Sequence, residues 1–108
     1  MWLYLDELKK RIDLLFQRNF ETGIEPDEFN WKVDRDPHDV TRQICNAWKS
    51  DSLIREVVCN PIIGQTISKL MNWKGARLIQ DNILWKPPKG KSLGYHQDAA
   101  YVDWISPQ

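Results

Sequence analysis

His96 and Asp98 stand two apart in "YHQDAAYVDW", residues 95 to 104, directly after the loop "KPPKGKSLG". A neutral imidazole and a carboxylate suit borderline divalent iron. With one more histidine they make the 2-His-1-carboxylate facial triad, which holds one face of the metal and leaves the others open for a co-substrate and dioxygen. On an extended backbone, side chains two apart project to the same side, so both ligands aim at one point without a bend. Against that, fifteen acidic residues in a chain of 108 make a chance HxD common. An ordinary surface pair is the competing reading.

The elements that must position the pair divide the chain into a helical part, residues 1–74, and an extended part, residues 75–108. Leu5, Leu8, Ile12, Leu15 and Phe16 recur at three- and four-residue steps and predict an amphipathic helix over 2–20. "ETGIEPDEFNWKVDRD" breaks the pattern with Gly23 and Pro26 and reads as a long loop. "DPHD" predicts a second helix, with Asp36 as N-cap, Pro37 in the first turn, and Val40, Ile44, Ala47 and Trp48 as its apolar stripe. A short third helix follows at "SLIREVV" and stops before Pro61. That proline then opens a fourth helix carrying Ile62, Ile63, Thr66, Ile67, Leu70 and Met71.

At Gly75 the period changes. "ARLIQDNILWK" alternates, with Ile79, Ile83 and Trp85 on one face and Leu78, Gln80, Asn82, Leu84 and Lys86 on the other. Two amides and a lysine between leucines fit either a solvated strand face or the wall of a cavity that holds a polar ligand. "LGYHQDAAYVDW" reads as the next extended segment.

Composition narrows the classes. A hydrophobic share of 42% and a charged share of 28% are those of a globular domain. Fifteen basic residues against fifteen acidic ones leave no global field for nucleic acid or anionic membrane, so neither is expected as a partner. No apolar run approaches a membrane span and the N-terminus lacks the order of a signal peptide, which makes a cytoplasmic location the expectation. Cys45 and Cys59, on separate predicted helices without CxxC spacing, are expected to be buried free thiols.

The stretch "LIQDNILWKPPKGKSLGYHQDAAYVDW" resembles the segment of the phytanoyl-CoA dioxygenase family that runs from a core strand into the first metal ligands. The Gln-bearing strand, the "KPP" ending, the Gly-containing loop and "HQD" carry the likeness, strongly over residues 76 to 104; "FETGI" and the helices before it are similar more loosely. The resemblance implies an α+β fold in which N-terminal helices precede the first strands of a double-stranded β-helix (jelly roll), here truncated. It implies an Fe(II)/2-oxoglutarate-dependent dioxygenase that hydroxylates a small-molecule substrate with dioxygen. By position, His96 and Asp98 are metal ligands, while Gln80 and, more weakly, Asn82 contact 2-oxoglutarate; no catalytic residue beyond the metal ligands is implied. An aspartate at 98 fits the hydroxylases rather than their halogenating relatives, which have a small residue there.

The departure is length: in that family the distal histidine and the arginine that clamps 2-oxoglutarate follow well after HxD. The chain is therefore expected to be an N-terminal fragment with two of three metal ligands. His38, the other histidine, falls in a predicted helix start. Lys86, Lys89 and Lys91 around the loop read as solvated. Two further readings stay open: a non-catalytic helical interaction module whose tryptophans and first helix dock on a partner, and a metal-binding remnant that folds without turnover.

Overall fold

The computed structural model describes residues 2–98. In chain order they form α1 (Trp2–Phe16), β1 (Glu28–Phe29), β2 (Arg42–Cys45), a 3-10 turn (Ala47–Lys49), α2 (Ser52–Val58), α3 (Pro61–Met71) and β3 (Asn82–Trp85). The class is α+β, with a three-stranded antiparallel sheet in the order β1-β2-β3. Among the described residues no helix is long and apolar enough to cross a membrane.

Backbone geometry sets the helix ends. Arg18 takes a left-handed φ of 60°, and the N–H groups of Arg18 and Asn19 return to the carbonyls of Leu15 and Leu14. This Schellman closure ends α1 at Phe16, four residues short of the expected end. The carboxylate of Asp51 caps α2 by accepting the N–H groups of Leu53 and Ile54. Asn60 caps α3 at the N–H of Ile62, with Pro61 in the first turn, as the "NP" signal predicts.

One expected helix does not form. Asp36 turns back and accepts the N–H of Lys32 at 2.7 Å, closing a turn behind it rather than capping a helix ahead. Residues 42–45 then run as the central strand, so the division into a helical part and an extended part does not hold. The sheet draws two of its three strands from before residue 75. The expected stripe still reaches the interior, because Ile44 and Ala47 are fully buried and Val40 and Trp48 pack beside them. Val40, Ile44, Ala47 and Trp48 fit a helical stripe, and Arg42–Cys45 shows no alternation of its own. Cross-strand pairing, not periodicity, makes this segment a strand.

The register gives the sheet two unlike faces. Phe29 lies opposite Ile44, Ile44 opposite Ile83, and Arg42 opposite Trp85. This face joins Leu15 and Phe16 of α1, Trp31 and Ile54 in the core, where each fully buried aliphatic contributes about 1.5–3 kcal/mol. The Arg42 guanidinium lies 3.8 Å from the centroid of Trp31 and 4.3 Å from that of Trp85, a cation–π stack that lets an arginine occupy the apolar side. The reverse face carries Glu28 opposite Cys45 and Cys45 opposite Asn82, with Gln43 opposite Leu84.

The extended half is less regular than its alternation predicts. Only Asn82–Trp85 pairs as a strand, and no strand forms over 86–98. Ile83 and Trp85 pack on the core as expected, whereas Ile79 stays about half exposed. Residues 99 to 104 of the expected second segment lie outside the described residues. Cys45 is buried but Cys59 is exposed; both are free thiols, and neither sits in a helix interior.

Candidate functional site

Three short backbone devices bring the candidate residues together. The first is Asp81, whose carbonyl accepts the N–H of Asn46 at 2.9 Å and whose own N–H donates to the Asn46 side chain at 3.3 Å. Its carboxylate accepts the N–H of Trp48 at 3.2 Å. These bonds pin the start of β3 to the end of β2 and direct the flanking side chains, Gln80 and Asn82, away from the 3-10 turn. Second, the N–H of Gly90 reaches the carbonyl of Pro87 at 3.0 Å, with Lys89 at φ 60°. The resulting turn sends the chain back from β3. Glycine leaves room there, because a Cβ on residue 90 would meet the Pro87 carbonyl oxygen and ring at 3.0 Å. Third, Asp27 ties β1 into the same end of the sheet, accepting from Asn46 Nδ2 at 2.6 Å and from Lys49 Nζ at 2.7 and 2.8 Å.

The result is an open concavity of about 700 Å3 in front of the polar sheet face. Glu28, Gln43, Cys45, Gln80 and Asn82 line it together with Gly94, Tyr95, His96 and Asp98. All four residues singled out in the sequence border this one space. His96 Nε2 lies 3.4 Å from Asp98 Oδ1, with both side chains exposed. His96 Nδ1 is 3.1 Å from the carbonyl oxygen of Gly94. A carbonyl only accepts, so this contact calls for the proton on Nδ1. In the neutral ring that leaves the lone pair on Nε2, the nitrogen nearest Asp98, which is the arrangement metal-binding histidines adopt. The same 3.4 Å also describes a plain His–Asp ion pair.

The chain matches no protein-family model, no curated protein and no solved structure.

Burial and neighbouring charges act on three groups at one end of the sheet. Burial pushes the Cys45 thiol above its ordinary range, and the carboxylates of Glu28, Asp81 and Asp27 push it further, against an opposing pull from Lys49. Burial also raises Asp81; the backbone N–H groups of Trp48 and Ala47 offset this in part, and Asp27 adds to the rise. The Lys49 ammonium and the Asn46 amide hold Asp27 below its ordinary value. Among the described lining residues there is no lysine or arginine.

His38 belongs elsewhere. Its ring centroid lies 5.8 Å from that of Trp31, and its Nδ1 lies 3.4 Å from Arg42, beside the core. No group of three or more His, Cys, Asp or Glu side chains able to hold a metal occurs among the described residues. Glu28, Gln43, Cys45 and Tyr95 were not foreseen as part of the site. Arg42–Cys45 carries no polar–apolar alternation that would have marked them, and the helical spacing of Val40, Ile44 and Ala47 points to another element.

Proposed function

We propose that the concavity is part of the active site of an Fe(II)/2-oxoglutarate-dependent oxygenase of the phytanoyl-CoA dioxygenase type. His96 and Asp98 are two of its metal ligands, and Gln80 and Asn82 are its contacts to 2-oxoglutarate. One observation carries the reading: His96 Nε2 and Asp98 Oδ1, 3.4 Å apart, open into the same space as Gln80 and Asn82. Two donors that share an ion at about 2.1 Å each stand about 3 to 4 Å from one another. Bound there, iron would supply dioxygen activation. The chain's own residues contribute the ligand pair, an Nδ1–H held by Gly94, and amide groups that orient a polar co-substrate. The donor set suits iron but is two-thirds of a triad.

The test is paramagnetic. Co(II) titrated into the isotope-labelled chain should broaden the resonances of His96, Asp98, Gln80 and Asn82, and His96→Ala and Asp98→Ala should each abolish this pattern. Broadening spread evenly over surface carboxylates, unchanged in the two variants, would defeat the assignment.

A second reading has its own observation. α3 buries none of its residues, and Ile62 and Leu70 are 68% and 79% exposed. An amphipathic face of this kind favours an interaction module that docks α3 on further protein. In that case the His–Asp pair binds nothing, and the cobalt experiment separates the two.

A further inference from the structure

The sheet wall of the concavity extends beyond the residues that would serve metal and co-substrate. Glu28, Cys45 and Asn82 form one row across β1, β2 and β3, and paired residues in antiparallel strands project to the same side. Two inter-strand steps put Glu28 about 9–10 Å from Asn82. Gln43, two residues from Cys45 on β2, stands beside that row and also lines the space.

The charges around this end are three carboxylates, Glu28, Asp27 and Asp81, against one ammonium, Lys49. Glu28 is exposed at the rim, and the neighbouring carboxylate, Asp27, is already paired with Lys49. No cationic side chain lines the space among the described residues. The wall therefore offers one carboxylate without a lysine or arginine partner, flanked by the carboxamide of Gln43, which both donates and accepts. A phosphate or carboxylate group is repelled there, whereas an ammonium group gains both a charge partner and a hydrogen bond.

We propose that Glu28, with Gln43, forms an ammonium-binding subsite, and that the substrate is a small amine whose cationic end lies on β1 and β2 while its remainder extends toward His96 and Asp98. This rests on the oxygenase reading for the identity of the reacting end, but the subsite itself stands on the sheet register and the charge of the wall. It also sorts the two small molecules: the dicarboxylate co-substrate is excluded from the Glu28 end and left to Gln80 and Asn82.

The test uses the metal-free 108-residue chain and three probes of one size: butylammonium, 1-butanol and butyrate, titrated by amide chemical shift. Butylammonium should shift Glu28, Gln43 and Cys45 in preference to the other two. Glu28→Gln should weaken it roughly three- to fivefold, the range of a partly screened ion pair, and Glu28→Lys should reverse the preference toward butyrate. Both substitutions are at an exposed strand end, so the spectra of the variants report directly whether the fold persists. Equal binding of the three probes, no binding, or butylammonium binding unaffected by Glu28→Gln would overturn the subsite. Ammonium selectivity without cobalt binding at His96 would uphold the subsite and refute the oxygenase. Cobalt binding without ammonium selectivity would do the reverse.

Discussion

The carboxylate of Asp81 accepts the backbone N–H of Trp48 at 3.2 Å, although 33 residues separate the two in the chain. This bond crosses from the first residue before β3 to the 3-10 turn, and it orients Gln80 and Asn82 on either side. Asp81→Ala should cost about 1–3 kcal/mol, because it leaves buried N–H groups at the turn without an acceptor. Asp81→Asn, which keeps an acceptor oxygen, should cost less. Urea unfolding of the three proteins measures the order. Equal stability of wild type and the alanine variant would show that the bond contributes nothing.

The pH dependence of the same comparison has a definite sign. Burial raises the folded pKa of Asp81 above 3.8. Its contribution is therefore fully present below pH 3.8 and is lost as pH rises through the folded value. Asparagine does not titrate, so the asparagine variant should gain on wild type between acid and neutral pH. A wild-type advantage over the asparagine variant that grows from acid to neutral pH instead would contradict the raised pKa.

Two other carboxylates behave in the opposite way. Glu21 is held below 4.5 chiefly by hydrogen bonds from the Ser52 hydroxyl and N–H, and Asp27 is held below 3.8 chiefly by Lys49. Both contributions are present above those values and disappear as pH falls through the lower folded ones. The unfolding midpoint in urea should thus drop as the buffer goes from pH 5 to pH 3. Arg11 completes the cluster, 2.7 Å from Asp51 and 2.6 Å from Glu21. Arg11→Met should cost about 1–3 kcal/mol, since it leaves Oδ2 of the nearly buried Asp51 without a partner while Oδ1 keeps the N–H groups of Leu53 and Ile54. An unaltered midpoint in that variant would show the pairs to be inert.

The purified 108-residue chain should not convert 2-oxoglutarate to succinate above background. Among its described residues the donors gathered at the concavity are two, and no arginine or lysine faces a dicarboxylate there. Succinate formation that depends on Fe(II) and vanishes in His96→Ala would overturn this expectation.

Concentrated solutions should self-associate through α3. Replacing Ile62 and Leu70 with lysine should raise the soluble fraction and shift unfolding by no more than about 0.5 kcal/mol, as expected of exposed positions outside the core. Unchanged sedimentation of the double variant would place the association elsewhere.

Local signals were legible in the sequence where they act locally. Asn60 before Pro61 starts α3, and the periodicity of Leu8, Ile12 and Leu15 makes α1. The alternation of Asn82, Ile83, Leu84 and Trp85 makes β3, because backbone capping and side-chain direction depend on near neighbours. The spacing of His96 and Asp98 likewise implies a shared direction without any knowledge of the sheet. The identity of the central strand was not legible: Val40, Ile44, Ala47 and Trp48 fit a helical stripe, and the strand depends on Ile44 meeting Ile83 almost forty residues later. Membership of Glu28, Gln43 and Cys45 in the site followed the same rule. A residue's own type says whether it can bind, but strand register, a product of long-range pairing, decides which residues face the same space.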